Sequence, residues 1–426
     1  MFKAVAGYYK DNERLRLLVK IIAVWLISRA VMLLMVPVMN LIADEPHQWL
    51  YYMNPWDAEW YKGIVENGYQ PPKSSGMASW AFFPLYPLVC MAVRLVTMGS
   101  IDTYAVGMTV SNICIIIAVY YAVKYADIEL DMKKYNKKTV EDIIIFLMLA
   151  GPFAVYYGAM YTEALFILCV ILCFYNSARH NYMAAGIAAA MASATRIVGC
   201  MLVFVLITYM FMETCAECRA KHNSEMKDNR EAGIIDKCML TEEAGILIAG
   251  NISLASVIRT FIKNVIKEPK KLVAIMISPL GIFIYMNYLR YFCGDSWAFY
   301  HVQRAWRTQK MFPVIGVLFK SCTGQLSAAS GVKTLNGIIL GWLCVITLML
   351  YAAMIRKKHY ALGIFGIIVL LIPLTSSVMS TLRFIMGSFV IYIGVAEIIA
   401  GCNRYVRYGI CLLYTSDAAD EEDSVD

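Results

Sequence analysis

Charge is what this chain has least of. Only 16% of its 426 residues are Asp, Glu, Lys or Arg, against 60% apolar, and its mean hydropathy is +0.59. A soluble chain of this length cannot hide so much apolar surface in one or two cores. Histidine is scarce too, five in all, and none stands at metal-ligand spacing from a cysteine. The thirteen cysteines do not form a disulfide framework. Cys169, Cys173, Cys200 and Cys344 lie inside apolar runs, where they read as small packing residues, and Cys215-Ala-Glu-Cys218 is the lone CxxC pair. The first apolar run, Leu17–Leu41, is too long for a signal h-region and no A-x-A-like site follows, so it is expected to be a signal anchor and not a cleavable leader.

What is present is a series of apolar stretches near the length that crosses a bilayer, with Leu17–Leu41 and Leu335–Ile355 the clearest. They predict an all-α integral membrane protein, a polytopic bundle of about 10–11 spans. The net charge of +7 lies in short loops, which is the positive-inside pattern and not a nucleic-acid stripe. Lys3, Lys10, Arg14, Arg16 and Lys20 place the N-terminus in the cytoplasm, leaving Ile42–Trp80 outside. Lys124, Lys133, Lys134, Lys137 and Lys138 belong inside, so only one of Ala81–Met98 and Tyr104–Val123 crosses. Ala81–Met98, with Pro84, Pro87 and Arg94, is the better juxtamembrane helix. Crossings then follow at Ile143–Met160, Ala164–Asn176, Tyr182–Thr195, Ile197–Met212, Leu272–Leu289, Leu335–Ile355, Ala361–Ser376 and Ile385–Ala400. The loop Glu213–Lys271, with ten Lys or Arg, is cytoplasmic; its part Ala244–Phe261 lies on the inner surface, and the sequon at Asn251 goes unused.

One segment departs from the charge rule. Arg290–Thr334 falls outside yet holds Arg290, Arg304, Arg307, Lys310, Lys320 and Lys333 around His301. An anionic ligand at the outer interface would account for them, as would the exemption of long outer loops. On this topology Asp57, Glu163, Arg196, His301, Arg304, Arg307 and Arg383 collect on one side. Ionisable groups at membrane depth are functional candidates. Each has a plainer reading: Thr162-Glu163 as a helix cap, Arg196 and Arg383 as snorkelling side chains. Glu59 is two residues from Asp57 and points elsewhere, so no carboxylate pair forms there.

Asp57 stands apart because Asn54-Pro-Trp-Asp-Ala-Glu-Trp-Tyr surrounds it with interfacial aromatics. A carboxylate held there can take a proton from a hydroxyl, and nearby arginines can grip a phosphate leaving group. That combination suits sugar transfer from a lipid phosphate. A transporter or lipid flippase is the alternative, but no internal repeat is evident and the polar residues lie at one face, not at the midplane. A catalytically silent membrane scaffold is a third reading.

These residues carry a resemblance. Trp56-Asp57-Ala58-Glu59-Trp60-Tyr61, continuing through Ile64 to Gly68-Tyr69, and then Ala81-Phe-Phe-Pro-Leu-Tyr-Pro87, are similar to the first outer loop of the GPI mannosyltransferase II (PIG-V-like) family and its prokaryotic relatives, within the GT-C class of membrane glycosyltransferases. Pro152 with Tyr161-Thr-Glu-Ala-Leu-Phe166 and Ala194-Thr-Arg-Ile-Val-Gly199 match further blocks; Phe299–Trp306 and Ser380–Phe384 are weaker, and the likeness spans residues 17–405. The resemblance implies a GT-C-like bundle over 1–407, with residues 42–103 forming the first outer loop and its juxtamembrane helices. It implies an inverting transferase with Asp57 as the outer-loop catalytic acid residue, and Trp56, Tyr61, Glu163, Arg196, His301, Gln303, Arg304 and Arg383 as substrate-binding residues. The donor would be a polyprenyl- or dolichyl-phosphate hexose, mannose by likeness, and the acceptor a glycan or glycolipid hydroxyl. Membrane lipid is the expected surrounding and nucleic acid is not a partner. The lipid-phosphate sugar is a co-substrate, no cofactor or metal ligand is assigned, and dependence on a divalent metal is open. A bacterial plasma membrane is the expected location, with the endoplasmic reticulum second. Trp60 replaces a His of many eukaryotic relatives. Tyr414–Asp426 breaks off an apolar run into acidic residues, and is expected to be either non-native sequence or a disordered tail.

Overall fold

The computed structural model describes residues 12–42, 48–72, 76–231, 253–305, 314–325, 334–375, 378 and 381–403. Among these residues every regular element is helical. The tail 414–426, the Asn251 sequon, Arg307, Lys310 and Lys333 lie outside them, as does the side chain of Arg304.

Helix α1 (Glu13–Ile42) is followed by α2 (Ala58–Asn67) and α3 (Leu85–Val96), then by α4 (Thr103–Glu129) and α5 (Lys137–Leu149). Short α6 (Ala154–Gly158) leads to α7 (Glu163–Ala178), α8 (Tyr182–Ser193) and α9 (Leu202–Glu231). Next come α10 (Leu254–Lys267), α11 (Pro269–Ile277), α12 (Leu280–Cys293) and α13 (Val314–Cys322). The last four are α14 (Thr334–Arg356), α15 (Tyr360–Leu374), α16 (Thr381–Gly387) and α17 (Val390–Gly401). Four stretches are long and apolar enough to cross a membrane alone: α1, α4, Ile197–Ser224 and α14. Counting the bent pairs α11–α12 and α16–α17 as one span each makes six, and α3, α7, α8 and α15 are shorter apolar helices. The chain is thus an all-helical, multi-pass membrane protein.

Several sequence boundaries shift for identifiable reasons. The stretch Ile143–Met160 is not one helix: α5 stops before Gly151-Pro152, where proline lacks an N–H and disfavours helix at the residue before it. The chain then turns through α6 before α7 begins. Leu272–Leu289 is likewise bent by 42° at Ser278-Pro279. In Ile385–Ala400 the bend is 71°, at Ser388-Phe389, with Phe389 at φ +53°. Of the loop Glu213–Lys271, the first part continues α9, and α10 folds back on it, with Phe211 against Phe261 and Asn264 donating to Glu217 at 2.9 Å. Helix α3, at twelve residues, is about 18 Å long, well under the roughly 30 Å hydrocarbon thickness. Its Tyr86, Pro87 and Cys90 are buried, while Leu95 and Val96 at its end are exposed.

The core gathers around α7, whose residues from Glu163 to Ile171 are all buried. Beside it α8 is built largely of Ala and Gly, so neighbours come close. A Cβ on Gly281 or Gly199 would run into α8 backbone. Aromatic edge-to-face contacts fill the wider gaps, Phe174 meeting Tyr125, Phe365 and Phe389.

The opposite end from the loop after α1 carries a polar knot. His359, in the short connection between α14 and α15, bonds Glu129 at 2.7 Å; Glu397 takes Lys357 at 3.0 Å and Tyr135 at 3.1 Å. Burial pushes the His359 imidazole down, but the hydrogen bonds and charges of Glu129 and Glu397 outweigh it and set the pKa at about 9, above the ordinary 6.5. A raised folded-state pKa stabilises fully below the unfolded value and is lost as pH rises through the folded one. The stabilisation is therefore complete below pH 6.5 and disappears through pH 9, a loss on the order of 3 kcal/mol. Thermal unfolding of the purified protein at pH 6 and pH 10 should show the drop, and His359→Gln should flatten it; an unchanged slope in that variant rejects the assignment.

Candidate functional site

The loop after α1 is pinned to the turn before α7 through the side chains of Asn54 and Tyr161. Asn54 is buried; its Oδ1 accepts from the Met160 amide at 2.7 Å while its Nδ2 donates to the Leu50 carbonyl at 2.8 Å. The Tyr161 hydroxyl donates to the Pro55 carbonyl at 2.6 Å and accepts from the Asp57 amide at 3.1 Å. Between these clamps Trp56 takes φ +47°, a left-handed conformation that a bulky side chain adopts only when its surroundings enforce it. Its ring is 63% exposed and stacks on Tyr156 at 6.4 Å. The next residue, Asp57, precedes α2 at the helix N-terminus, where the dipole favours a negative charge.

Asp57 enters a four-membered chain of charges. Arg383 donates from Nη1 to Asp57 Oδ2 at 2.6 Å, and from Nη2 and Nε to Glu163 Oε1 at 2.7 and 2.9 Å. Arg196 Nη1 reaches the same Glu163 oxygen at 2.9 Å. Glu163 is completely buried, whereas the Asp57 side chain is 30% exposed. Asp57 Oδ1 accepts no hydrogen bond among the described residues. Aromatic faces enclose the guanidinium groups: Arg383 lies over Tyr156 and Tyr161 at 5.6 and 5.1 Å, and Arg196 over Phe166 and Phe384 at 5.8 and 5.3 Å.

The bend between α16 and α17 makes this possible. It swings α16 away from the direction of α17 and carries Arg383 to α7. Tyr157 of α6 holds that corner, donating to the Met386 carbonyl at 2.9 Å and pairing with the Tyr392 hydroxyl at 2.9 Å.

The structure brings together Asp57, Glu163, Arg196 and Arg383 from four separate stretches. Trp56 flanks them, and Tyr61 is buried behind with its hydroxyl 3.4 Å from Thr162 Oγ1. The helix-cap reading of Thr162-Glu163 is corrected: Thr162 makes no side-chain cap and Glu163 binds two arginines. The snorkelling reading of Arg196 and Arg383 fails as well, because both turn inward. Glu59 does point away from Asp57, accepting from the Tyr104 hydroxyl. His301 is not drawn into the cluster. It is half exposed and its Nδ1 pairs with Asp295 at 2.6 Å, which holds the Asp295 carboxyl below its ordinary pKa. Gln303 is half-buried in the next turn, and the segment packs by Phe299 against Phe83. Tyr156, Tyr157 and Asp295 were missed by sequence reasoning. The tyrosines look like ordinary interfacial aromatics, and Asp295 sits six residues from its partner across an irregular stretch. Among the described residues no three His, Cys, Asp or Glu side chains group as a metal site.

Residues 14–222 match the family model described as mannosyltransferase (PIG-V). No curated protein sequence matches the chain. Among solved structures, the archaeal oligosaccharyltransferase AglB from Archaeoglobus fulgidus, in complex with an inhibitory peptide and a dolichol-phosphate, aligns over 98% of this chain at 12% identity and TM-score 0.47. An Archaeoglobus fulgidus oligosaccharyltransferase tethered to an acceptor peptide aligns over 98% at 14% identity and TM-score 0.44. The chain spans 56% of the length of each.

Removing the Glu163 charge leaves Arg196 without its carboxylate in a buried site, so Glu163→Gln should cost about 3 kcal/mol. Thermal unfolding measures this. A double-mutant cycle with Arg196→Met should show coupling, and additive losses would mean that the pair is not a working unit.

Proposed function

We propose that the chain, whose residues 14–222 match the mannosyltransferase (PIG-V) family model, transfers a hexose, mannose by that likeness, from a polyprenyl-phosphate sugar to a hydroxyl of a glycan or glycolipid at the outer membrane face. The observation that carries this reading is the half-open Asp57 carboxylate tied through Arg383 to the buried Glu163. Arg383 holds Asp57 by Oδ2, and the open Oδ1 is where an acceptor proton can go.

The reaction balances without a further reagent. The acceptor oxygen forms a bond to the sugar C1 from the face opposite the phosphate, while the C1–O bond to the phosphate breaks. The bonding pair leaves with the lipid phosphate, the acceptor proton passes to Asp57, and the configuration at C1 inverts. A phosphate leaving group needs no general acid, which fits a site with one reachable carboxylate. Arg383 and Arg196 supply positive charge beside the leaving oxygen. Trp56 and Tyr156 offer an aromatic wall against which a sugar face can pack. We assign the acceptor side to the segment of His301 and Gln303, which packs on the loop after α1 through Phe299 and Phe83.

Orientation follows from the same reading. The N-terminus is cytoplasmic and the Asp57 cluster faces the outside of a bacterial plasma membrane, the lumen of the endoplasmic reticulum being the equivalent face in a eukaryote.

Radiolabelled sugar transfer from a lipid-phosphate donor in membranes tests the base. Asp57→Asn keeps the size of the side chain and removes its basicity, and transfer should fall by about 100-fold or more. Equal transfer at equal expression would reject Asp57 in this role.

A further inference from the structure

The charges of the cluster cancel among themselves: Asp57 and Glu163 against Arg196 and Arg383. A fifth charge nearby has no such balance. Arg29 lies within the first span, α1, where a guanidinium is costly and ordinarily finds a counter-ion. Among the described residues no carboxylate pairs with it. Its Nη1 donates to the Ala154 carbonyl at 2.9 Å and sits 3.0 Å from the Met32 sulfur. Nε and Nη2 are buried and make no hydrogen bond. Those two atoms form the side-on edge of a guanidinium, the edge that grips two oxygens of a carboxylate or phosphate in parallel. Arg383 uses the same edge on Glu163.

The surroundings hold this group in place. A Cβ on Gly158 would overlap Arg29 Nη1, so glycine there is what admits the guanidinium. Gly158 is itself fixed, its carbonyl accepting from Asn112 Nδ2 at 3.2 Å while Asn112 Oδ1 accepts from Trp25 at 2.7 Å. Helix α6 bridges the two centres: Ala154 at its start touches Arg29, and Tyr156 two residues on packs against Arg383. On the other side, Leu26, Ile27, Val31 and Leu34 of α1 are all more than half exposed and face the hydrocarbon. An anion reaching Arg29 from that side must be attached to an apolar chain.

We propose that Arg29 binds the phosphate of the lipid-linked donor through Nε and Nη2, as a cation separate from the Asp57–Arg383–Glu163–Arg196 chain. One uncompensated positive charge matches the single negative charge of a sugar phosphodiester. The same cation counters the extra charge that the lipid phosphate acquires when the sugar leaves. The proposal deepens the preceding reading and rests on its lipid-phosphate donor.

The test uses the full chain in nanodiscs and reads retention of polyprenyl phosphate without sugar, in competition with phosphatidylglycerol. Arg29→Met should weaken polyprenyl phosphate by about tenfold or more and leave phosphatidylglycerol retention unchanged. Arg29→Lys keeps the charge without the two-pronged edge and should fall between. Gly158→Ala keeps every charge but fills the space that Nη1 needs, and should weaken polyprenyl phosphate in the same direction. Wild-type retention in a folded Arg29→Met variant overturns the proposal; if that variant does not fold, unchanged retention in Gly158→Ala and Arg29→Lys overturns it. Loss of phosphatidylglycerol in step with polyprenyl phosphate overturns the donor assignment. Arg29-dependent retention together with undiminished transfer by Asp57→Asn would support the phosphate seat while rejecting Asp57 as base, so the two readings fail separately.

Discussion

One guanidinium organises the end of this molecule where Asp57 lies. Arg383 spends Nε and Nη2 on the buried Glu163 and Nη1 on the half-exposed Asp57. A carboxylate without solvent contact is tolerable only if paired, and Glu163 needs both arginines because it sits at the head of the most enclosed helix. The sharp bend before α17, the tyrosine clamp from α6 and the strained Trp56 turn all serve to deliver three chain segments to that one side chain. Losing any of them would leave a charge stranded in an apolar bundle.

The two carboxylates share this arginine but not an environment. Glu163 is sealed and accepts from both guanidinium groups, a structural anchor. Asp57 keeps one oxygen open, stands at a helix N-terminus and borders an exposed tryptophan. Burial therefore separates their roles where residue type could not. The opposite end of the bundle solves a similar problem differently: Glu129 and Glu397 pair with His359 and Lys357 and accept from tyrosine hydroxyls.

Irregular helices and polar chemistry occur together here. The breaks at Gly151-Pro152, Ser278-Pro279 and Ser388-Phe389 interrupt three apolar stretches that hydropathy joins into single spans. Non-helical backbone at membrane depth is tolerated when protein surrounds it. Two of the three breaks lead into segments that touch the charge cluster, through Tyr156 and through Arg383 itself.

Composition alone determined that the chain is a helical membrane protein, since an apolar fraction this high has no other place to go. The loop lysines set Ala81–Met98 apart from the long spans, because basic residues resist transfer across the bilayer, and the helix there is twelve residues long. Asp57 stood out from its aromatic neighbours, which are interfacial by chemistry regardless of fold. The partners of Asp57 were another matter. Glu163 could be a cap, and Arg196 and Arg383 could snorkel, because local sequence cannot say whether a charge at a helix end turns outward or inward. Arg29 drew no notice at all, being one cation in a long apolar run. Only the tertiary structure decided these points, through contacts between residues up to 326 positions apart and a helix bend that hydropathy averages away.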